Sequence, residues 1–184
     1  SINFDDGYSS QISIGVPQIN ARGLKGTFFV ISDPNYINTH VSWAAWQNVA
    51  AQGHDVQCHT VTHPDLSTLS DDEVRAELSQ SRIDVGQNIG VSCITMAYPY
   101  TRSGPAVQNI ADEYYMSARG GVVWPNGPVN YYRAGQDQDG SWTAINFYDV
   151  AGMDEAWENI SVNDQYLTAP DFNDALDKAV VRHG

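Results

Sequence analysis

Short apolar runs alternate along this chain with longer stretches whose apolar residues recur at helical spacing. The runs are strand candidates and the periodic stretches helix candidates. "SINF" reads as a strand ending in a polar turn, and "GTFFVI" (Gly26 to Ile31), β-branched and aromatic, as a buried strand. "SWAAWQNVAAQG" then predicts a helix, with Ser42 able to cap its start and Gly53 its end. "HDVQCH" is the next strand. "SDDEVRAELSQSRIDVGQNIG" is the clearest helix: Ser70 and Glu73 have the spacing of a capping box, and Asp71 and Asp72 suit the positive end of the dipole. Its Val74, Leu78, Val85 and Ile89 fall near one face. "SCITMAYPY" is a strand running into a proline turn, "GPAVQNIADEYY" a helix with Pro105 in its first turn, and "YMSARG" a short strand. "GVVWPNGPVNYYRAG" reads as a loop with room for one strand, "WTAINFYDV" as an alternating strand, and "PDFNDALDKAVVRHG" as a closing helix that Gly184 would end.

Strands alternating with helices imply a parallel sheet or barrel. The expectation is an α/β fold, a distorted, partial (β/α) barrel of about seven parallel strands, with catalytic groups at the C-terminal strand ends. Asp5 and Asp6, His59 and His63, and Pro99 and Tyr100 all follow predicted strands, so segments far apart in the chain meet at one mouth. With no internal repeat and no second boundary, residues 1–184 read as one domain. The chain opens inside a strand, so the domain is expected to be trimmed at one or both ends.

Charge narrows the partners. The chain carries 22 Asp and Glu against 9 Lys and Arg, a net charge of −13. That excess argues against nucleic acid and anionic membrane surfaces. The acids are scattered, as on a solvated surface. No apolar run approaches the roughly 20 residues of a membrane helix. Cys58 and Cys93 form no CxxC pair, which excludes a zinc ribbon or thioredoxin motif. They are either two buried thiols or one bridge.

The candidate chemistry lies in "INFDDG" and "HTVTHP". Imidazole and carboxylate suit zinc and other divalent first-row ions. His59 and His63, four apart and followed by Pro64, can share one ion if the segment turns back, and an aspartate from another strand end would complete an open three-ligand site. Asp5 and Asp6, as neighbours, point in different directions, so one can bind metal while the other stays free as a base. Gly7 allows tight backbone geometry there. Taken singly, an HxxxH is a weak signal and a DDG is more often a turn; together at two strand ends they carry far more. Two histidines and one carboxylate also describe non-haem iron oxygenases.

With these residues in view, the chain resembles the polysaccharide deacetylase (NodB-homology) family, carbohydrate esterase family four. "NFDDG" is similar to the family's first motif, T-F-D-D-G, and "HTVTHP" to its second, H-[ST]-x-x-H-P. "LSTLSDDEVRAEL" resembles the segment that follows, and "AYPY" sits where the third motif, R-x-P-Y, belongs. The similarity covers residues 1 to 150 and is clearest over 1 to 100. The resemblance implies metal-dependent hydrolysis of acetyl groups from a glycan. Asp6, His59 and His63 would bind the metal, Asp5 would be the general base, and the backbone N–H of Tyr100 would help hold the oxyanion. The implied cofactor is a divalent metal, zinc first, with cobalt, manganese, nickel or iron as alternatives. The implied partner is an acetylated polysaccharide or oligosaccharide, met outside the cell or in its envelope by a monomer with no membrane insertion. Such a setting permits a Cys58–Cys93 bridge between adjacent strands, and a bridge is the expectation.

Two family positions differ. Ala97 stands where the third motif carries an arginine that orients the base. Arg102, Arg119 or Arg133 can supply the charge, and Arg133 is the choice made from sequence. Tyr148 aligns with the histidine that serves as general acid in the family's fifth motif. A phenol donates protons poorly at neutral pH, and losing general-acid help costs about 10²–10⁴-fold. An ester leaves more easily than an amide and would suffer less. These two losses motivate a second reading, a non-catalytic protein that keeps metal and carbohydrate affinity. Tyr98, Tyr100, Trp124 and Trp142 are candidates for stacking on sugar rings, whereas Trp43 and Trp46 read as helix packing. His183 suits a helix C-terminus, and His40 and His54 read as surface or strand-edge histidines.

Overall fold

The computed structural model describes residues 2–36 and 41–120, together with the strand pairs 150–151, 161–162 and 165–166. Five parallel strands follow in spatial order: β1 (Ile2–Phe4), β2 (Gly26–Val30), β3 (Asp55–Cys58), β4 (Thr95–Ala97) and β5 (Ser117–Gly120). A sixth, β6 (Val150–Ala151), pairs parallel with β5. β7 (Ser161–Val162) and β8 (Gln165–Tyr166) form a separate antiparallel pair. The parallel sheet curls into the expected half-barrel. Among the described residues it has six strands where the sequence predicts about seven.

The connecting helices are α1 (Val16–Ala21), α2 (Trp43–Ala51), α3 (Asp71–Ile89) and α4 (Pro105–Asp112). α2 and α3 begin at the caps their sequences predict. The Ser42 and Ser70 side chains accept from the Ala45 and Glu73 N–H groups, and Glu73 returns a bond to complete the capping box. Gly90 ends α3 in the left-handed conformation. The helical segment from Gln11 into α1, whose first turn is a π-helix, has no counterpart in the sequence reading. Gly15 and Pro17 inside it disguise the period. Gly26 lets that segment lie close: a Cβ there would stand 3.2 Å from Ile19 Cδ1 and 3.3 Å from Phe4 Cε2.

The core fills the space between sheet and helices. Phe4 stacks on Phe28 at 4.7 Å, and Phe28 meets Trp46 of α2 at 5.6 Å. Val56, Met96 and Ala118 continue the buried layer across β3, β4 and β5, with Val74, Leu78 and Val85 of α3 covering it. Each of the Val, Leu, Phe and Met side chains among them contributes roughly 1.5–3 kcal/mol relative to exposure. Cys58 at the end of β3 is bridged to Cys93, with Cα atoms 6.3 Å apart. Cys93 lies just ahead of β4, not inside it as the sequence suggests. The bridge closes 35 residues of chain, worth about 4 kcal/mol in the loop-entropy account. His54 also departs from expectation. It is 5% exposed, and its Nδ1 accepts from the Gly26 N–H at 3.2 Å. Burial, with Lys25 nearby, lowers its pKa below the usual imidazole value. Among the described residues no helix is long and apolar enough to cross a membrane.

Candidate active site

Three strand ends build the site. After β1 the chain turns sharply at Asp6 (φ 66°) and Gly7 (φ 77°), with the Gly7 N–H bonded to the Asp5 carbonyl at 2.9 Å. A Cβ on Gly7 would stand 3.3 Å from the Trp46 ring, so the turn sits close on α2. The Gln11 side-chain amide also donates to the Asp5 carbonyl. After β3, Thr60 (φ 65°) and His63 (φ 58°) bend the histidine segment back on itself. After β4, Tyr100 (φ 54°) and Thr101 (φ 57°) do the same. Non-glycine residues in this region cost of order 1–3 kcal/mol each and persist only where surrounding contacts enforce them. Among the described residues all five lie at this one edge of the sheet.

The turns bring Asp6, His59 and His63 together. Asp6 Oδ1 is 3.2 Å from His59 Nε2 and 3.2 Å from His63 Nε2, and the three atoms lie within 4.8 Å of one another. The outer nitrogen of His59 sets its tautomer. His59 Nδ1 stands 2.8 Å from the Ala97 carbonyl oxygen, which only an N–H can approach in this way. Neutral His59 therefore presents a bare lone pair at Nε2, the form a metal takes. His63 Nδ1 faces the Tyr36 hydroxyl at 3.4 Å. Burial opposes ionisation of Asp6, yet with protonated His59 and His63 beside it the carboxyl is held well below the usual carboxylate range, so positive charge at this point favours the carboxylate. Two imidazole lone pairs and a carboxylate oxygen facing one point repel unless positive charge stands between them. The donor set and its geometry therefore fit a divalent cation with open positions.

Asp5 points elsewhere, because the chain leaves the extended conformation at Asp6. Its Oδ2 is paired with Nη2 of Arg119, both side chains being nearly fully buried. The Arg119 guanidinium also lies over the Phe29 ring at 5.4 Å, and its Nη1 donates to the Gly120 carbonyl at 3.4 Å. Asp5 Oδ1 is buried with no hydrogen-bond partner among the described residues. Arg119, one of the three arginines weighed from sequence, thus stands beside the base candidate. Arg102 is committed to Asp65 at 2.6 Å, and Arg133 lies outside the described residues. Ala97 and Arg119 are register partners on β4 and β5, so their side chains leave the same face of the sheet at the same level. The charge that the resemblance places at Ala97 is found one strand over. A sequence signal was present: an arginine between Ala118 and Gly120 in a short buried strand needs a partner.

Tyr100 is 54% exposed, with its ring centroid 4.7 Å from that of His63. Tyr98 is 1% exposed and belongs to the hydrophobic core, so it cannot stack on a sugar. Two residues apart, Tyr98 and Tyr100 would share a face of an extended strand; the turn at Pro99–Thr101, with Tyr100 at φ 54°, breaks that pattern and leaves one ring buried and the other exposed. Trp46 packs in the core as expected. Tyr148, Trp124, Trp142, His40 and His183 lie outside the described residues. The sequence reading missed Tyr36 as the neighbour of His63, and Glu77, whose carboxylate accepts from the Val61 and Thr62 N–H groups.

Known proteins are similar to this chain over the region that carries the site. The family model described as polysaccharide deacetylase matches residues 1–118. A gellan lyase from a Bacillus species is 34% identical over 138 residues, which is 71% of this chain and 5% of that protein. The peptidoglycan-N-acetylglucosamine deacetylase PgdA of Listeria monocytogenes is 29% identical over 119 residues, 61% of this chain and 23% of that protein. The chain thus spans a small part of either relative. The Streptococcus pyogenes deacetylase PplD, solved in complex with acetate, matches with a TM-score of 0.61 at 24% identity, over 64% of this chain and 54% of that one. Likeness at that identity speaks for the fold. The family match runs from β1 through both histidines into β5 and so spans the residues gathered at this edge, and the chain belongs to the polysaccharide deacetylase family.

Proposed function

We propose that this chain is a metal-dependent hydrolase that removes N- or O-linked acetyl groups from a polysaccharide of the chitin, peptidoglycan or xylan type. One observation carries the reading: Asp6, His59 and His63 converge on one point, while a second carboxylate, Asp5, is held beside them by Arg119. Relatives named as chitin and peptidoglycan-N-acetylglucosamine deacetylases support the substrate class.

Asp6, His59 and His63 would hold the cation, zinc first, with cobalt, manganese, nickel or iron as alternatives. When bound, such an ion supplies Lewis acidity to the acetyl carbonyl and lets water ionise near neutral pH. Asp5 takes a proton from the water that attacks the acetyl carbon, and Arg119 fixes the direction of its carboxylate. The Tyr100 backbone N–H donates to the developing oxyanion. Tyr148 returns a proton to the leaving amine or alcohol. Because a phenol does this poorly, acetyl esters should turn over faster than acetamides. The Tyr100 ring, with Trp124 and Trp142, contacts the sugar. The protein works as a monomer outside the cell or in its envelope, where acetylated glycans are found and a Cys58–Cys93 bridge is stable.

Acetate release from acetylated xylan, chitin oligomers and a small acetyl ester, with and without chelator, tests this. Chelator-sensitive release supports it. Metal uptake without release from any substrate would favour the non-catalytic reading. That reading already lacks one support, because Asp5 does have an arginine partner.

A further inference from the structure

The histidine turn is held from outside by one side chain that the proposed chemistry does not use. Glu77 sits on α3, one helical turn after the capping residue Glu73. Its Oε2 accepts from the Val61 N–H at 2.8 Å and the Thr62 N–H at 2.9 Å, and its Oε1 from the Thr62 hydroxyl at 2.6 Å. These donors lie between His59 and His63, directly after Thr60 has turned into the left-handed region. Successive backbone N–H groups beside such a residue form a concave nest that binds an anion. On its other side the same turn is tied to the segment after β2: the Ser32 and Asp33 N–H groups donate to the Thr60 and Val61 carbonyls at 3.1 and 3.0 Å. Within the turn, the Thr60 hydroxyl accepts from the His63 N–H at 3.0 Å. The carbonyls are therefore bonded to the sheet side and the N–H groups to Glu77.

We infer that Glu77 is a positioning residue for the metal centre. Its carboxylate fills the nest at Val61–Thr62 and keeps the strained turn in the form that aims both imidazoles at Asp6. Without it, two N–H groups and a hydroxyl lose a charged acceptor, and the strained turn is left to the Ser32, Asp33 and Thr60 hydroxyl bonds alone. The turn then relaxes, and His63, which lies past the nest, moves away from His59. This inference rests on the proposed reading of the site, but it concerns the assembly of the site and not turnover.

Cobalt(II) provides the test, because both its affinity and its visible absorption report ligand geometry. Wild type, Glu77→Ala, Glu77→Gln and Ser70→Ala are titrated with cobalt. Ser70→Ala is the control: it weakens the same helix at its cap while leaving the nest intact. Glu77→Ala should bind cobalt about 10–100-fold more weakly with an altered spectrum, the effect typical of losing an outer partner of a ligand. Glu77→Gln keeps the shape and an acceptor oxygen and should fall between. Ser70→Ala should match wild type in both readouts. If Glu77→Ala does not fold, Glu77→Gln carries the test, and wild-type affinity and spectrum in it would overturn the inference. Equal weakening by Glu77→Ala and Ser70→Ala would also overturn it, reducing Glu77 to ordinary helix docking. A wild-type protein that takes up no cobalt would defeat the reading of the site itself, and this inference with it.

Discussion

Helix α3 and the carboxyl edge of the sheet follow opposite rules. α3 is locally consistent from end to end: a reciprocal capping box at Ser70 and Glu73, acids in the first turn, a buried face of Val74, Leu78 and Val85, and a left-handed glycine after its last residue. The edge breaks local rules. Five of the described non-glycine residues there have positive φ, and the adjacent acids Asp5 and Asp6 are placed in separate polar clusters. Stability belongs to the first region and chemistry to the second. A site needs side chains in directions that relaxed turns do not supply, and a frame able to hold them there. Glu73 and Glu77 show the two regions meeting on one helix, the former capping α3 and the latter reaching out to the histidine turn.

Substitutions can break this contrast, beginning with the largest effect. Asp6→Ala removes the oxygen shared by both imidazoles; stoichiometric zinc uptake, followed by calorimetric titration, should be lost, and acetate release with it. Asp5→Asn should leave zinc uptake intact while lowering acetate release about 10²–10⁴-fold, the usual range for a general base. Equal loss of uptake in both variants would erase the division of labour between the two aspartates. Arg119→Met leaves the buried Asp5 carboxylate without its partner. Denaturant unfolding should show a loss of about 3–5 kcal/mol, and acetate release should fall even where the protein remains folded. At the small end, Ser70→Ala should cost about 1 kcal/mol in the same unfolding measurement and leave kcat/KM for an acetyl ester unchanged. A change in turnover there would mean that frame and site are not separable.

A milder test uses pH. His54 is buried with its Nδ1 accepting a backbone N–H, and its pKa is lowered in the folded state by burial and Lys25. Protonation thus favours the unfolded chain. Stability should be unaffected above the unfolded value of about 6.5 and fall as pH drops through and below it. In unfolding midpoints, His54→Gln should flatten that part of the profile.

Much of this was legible in the sequence. The alternation of buried runs with capped, periodic segments determined a parallel α/β fold, because capping and amphipathic spacing act within a few residues of chain. The two motifs named Asp6, His59 and His63 as a set, and the structure brings those three together. Tertiary structure decided what depended on contacts across the sheet. It put Tyr98 in the core and Tyr100 at the mouth, and brought Glu77 to a turn more than a dozen residues before it. It also set Arg119 level with Ala97 and beside Asp5, since register partners on parallel strands share a face however far apart they lie in the chain. Spacing along one strand reveals which residues alternate, but only pairing between strands reveals which charges can meet.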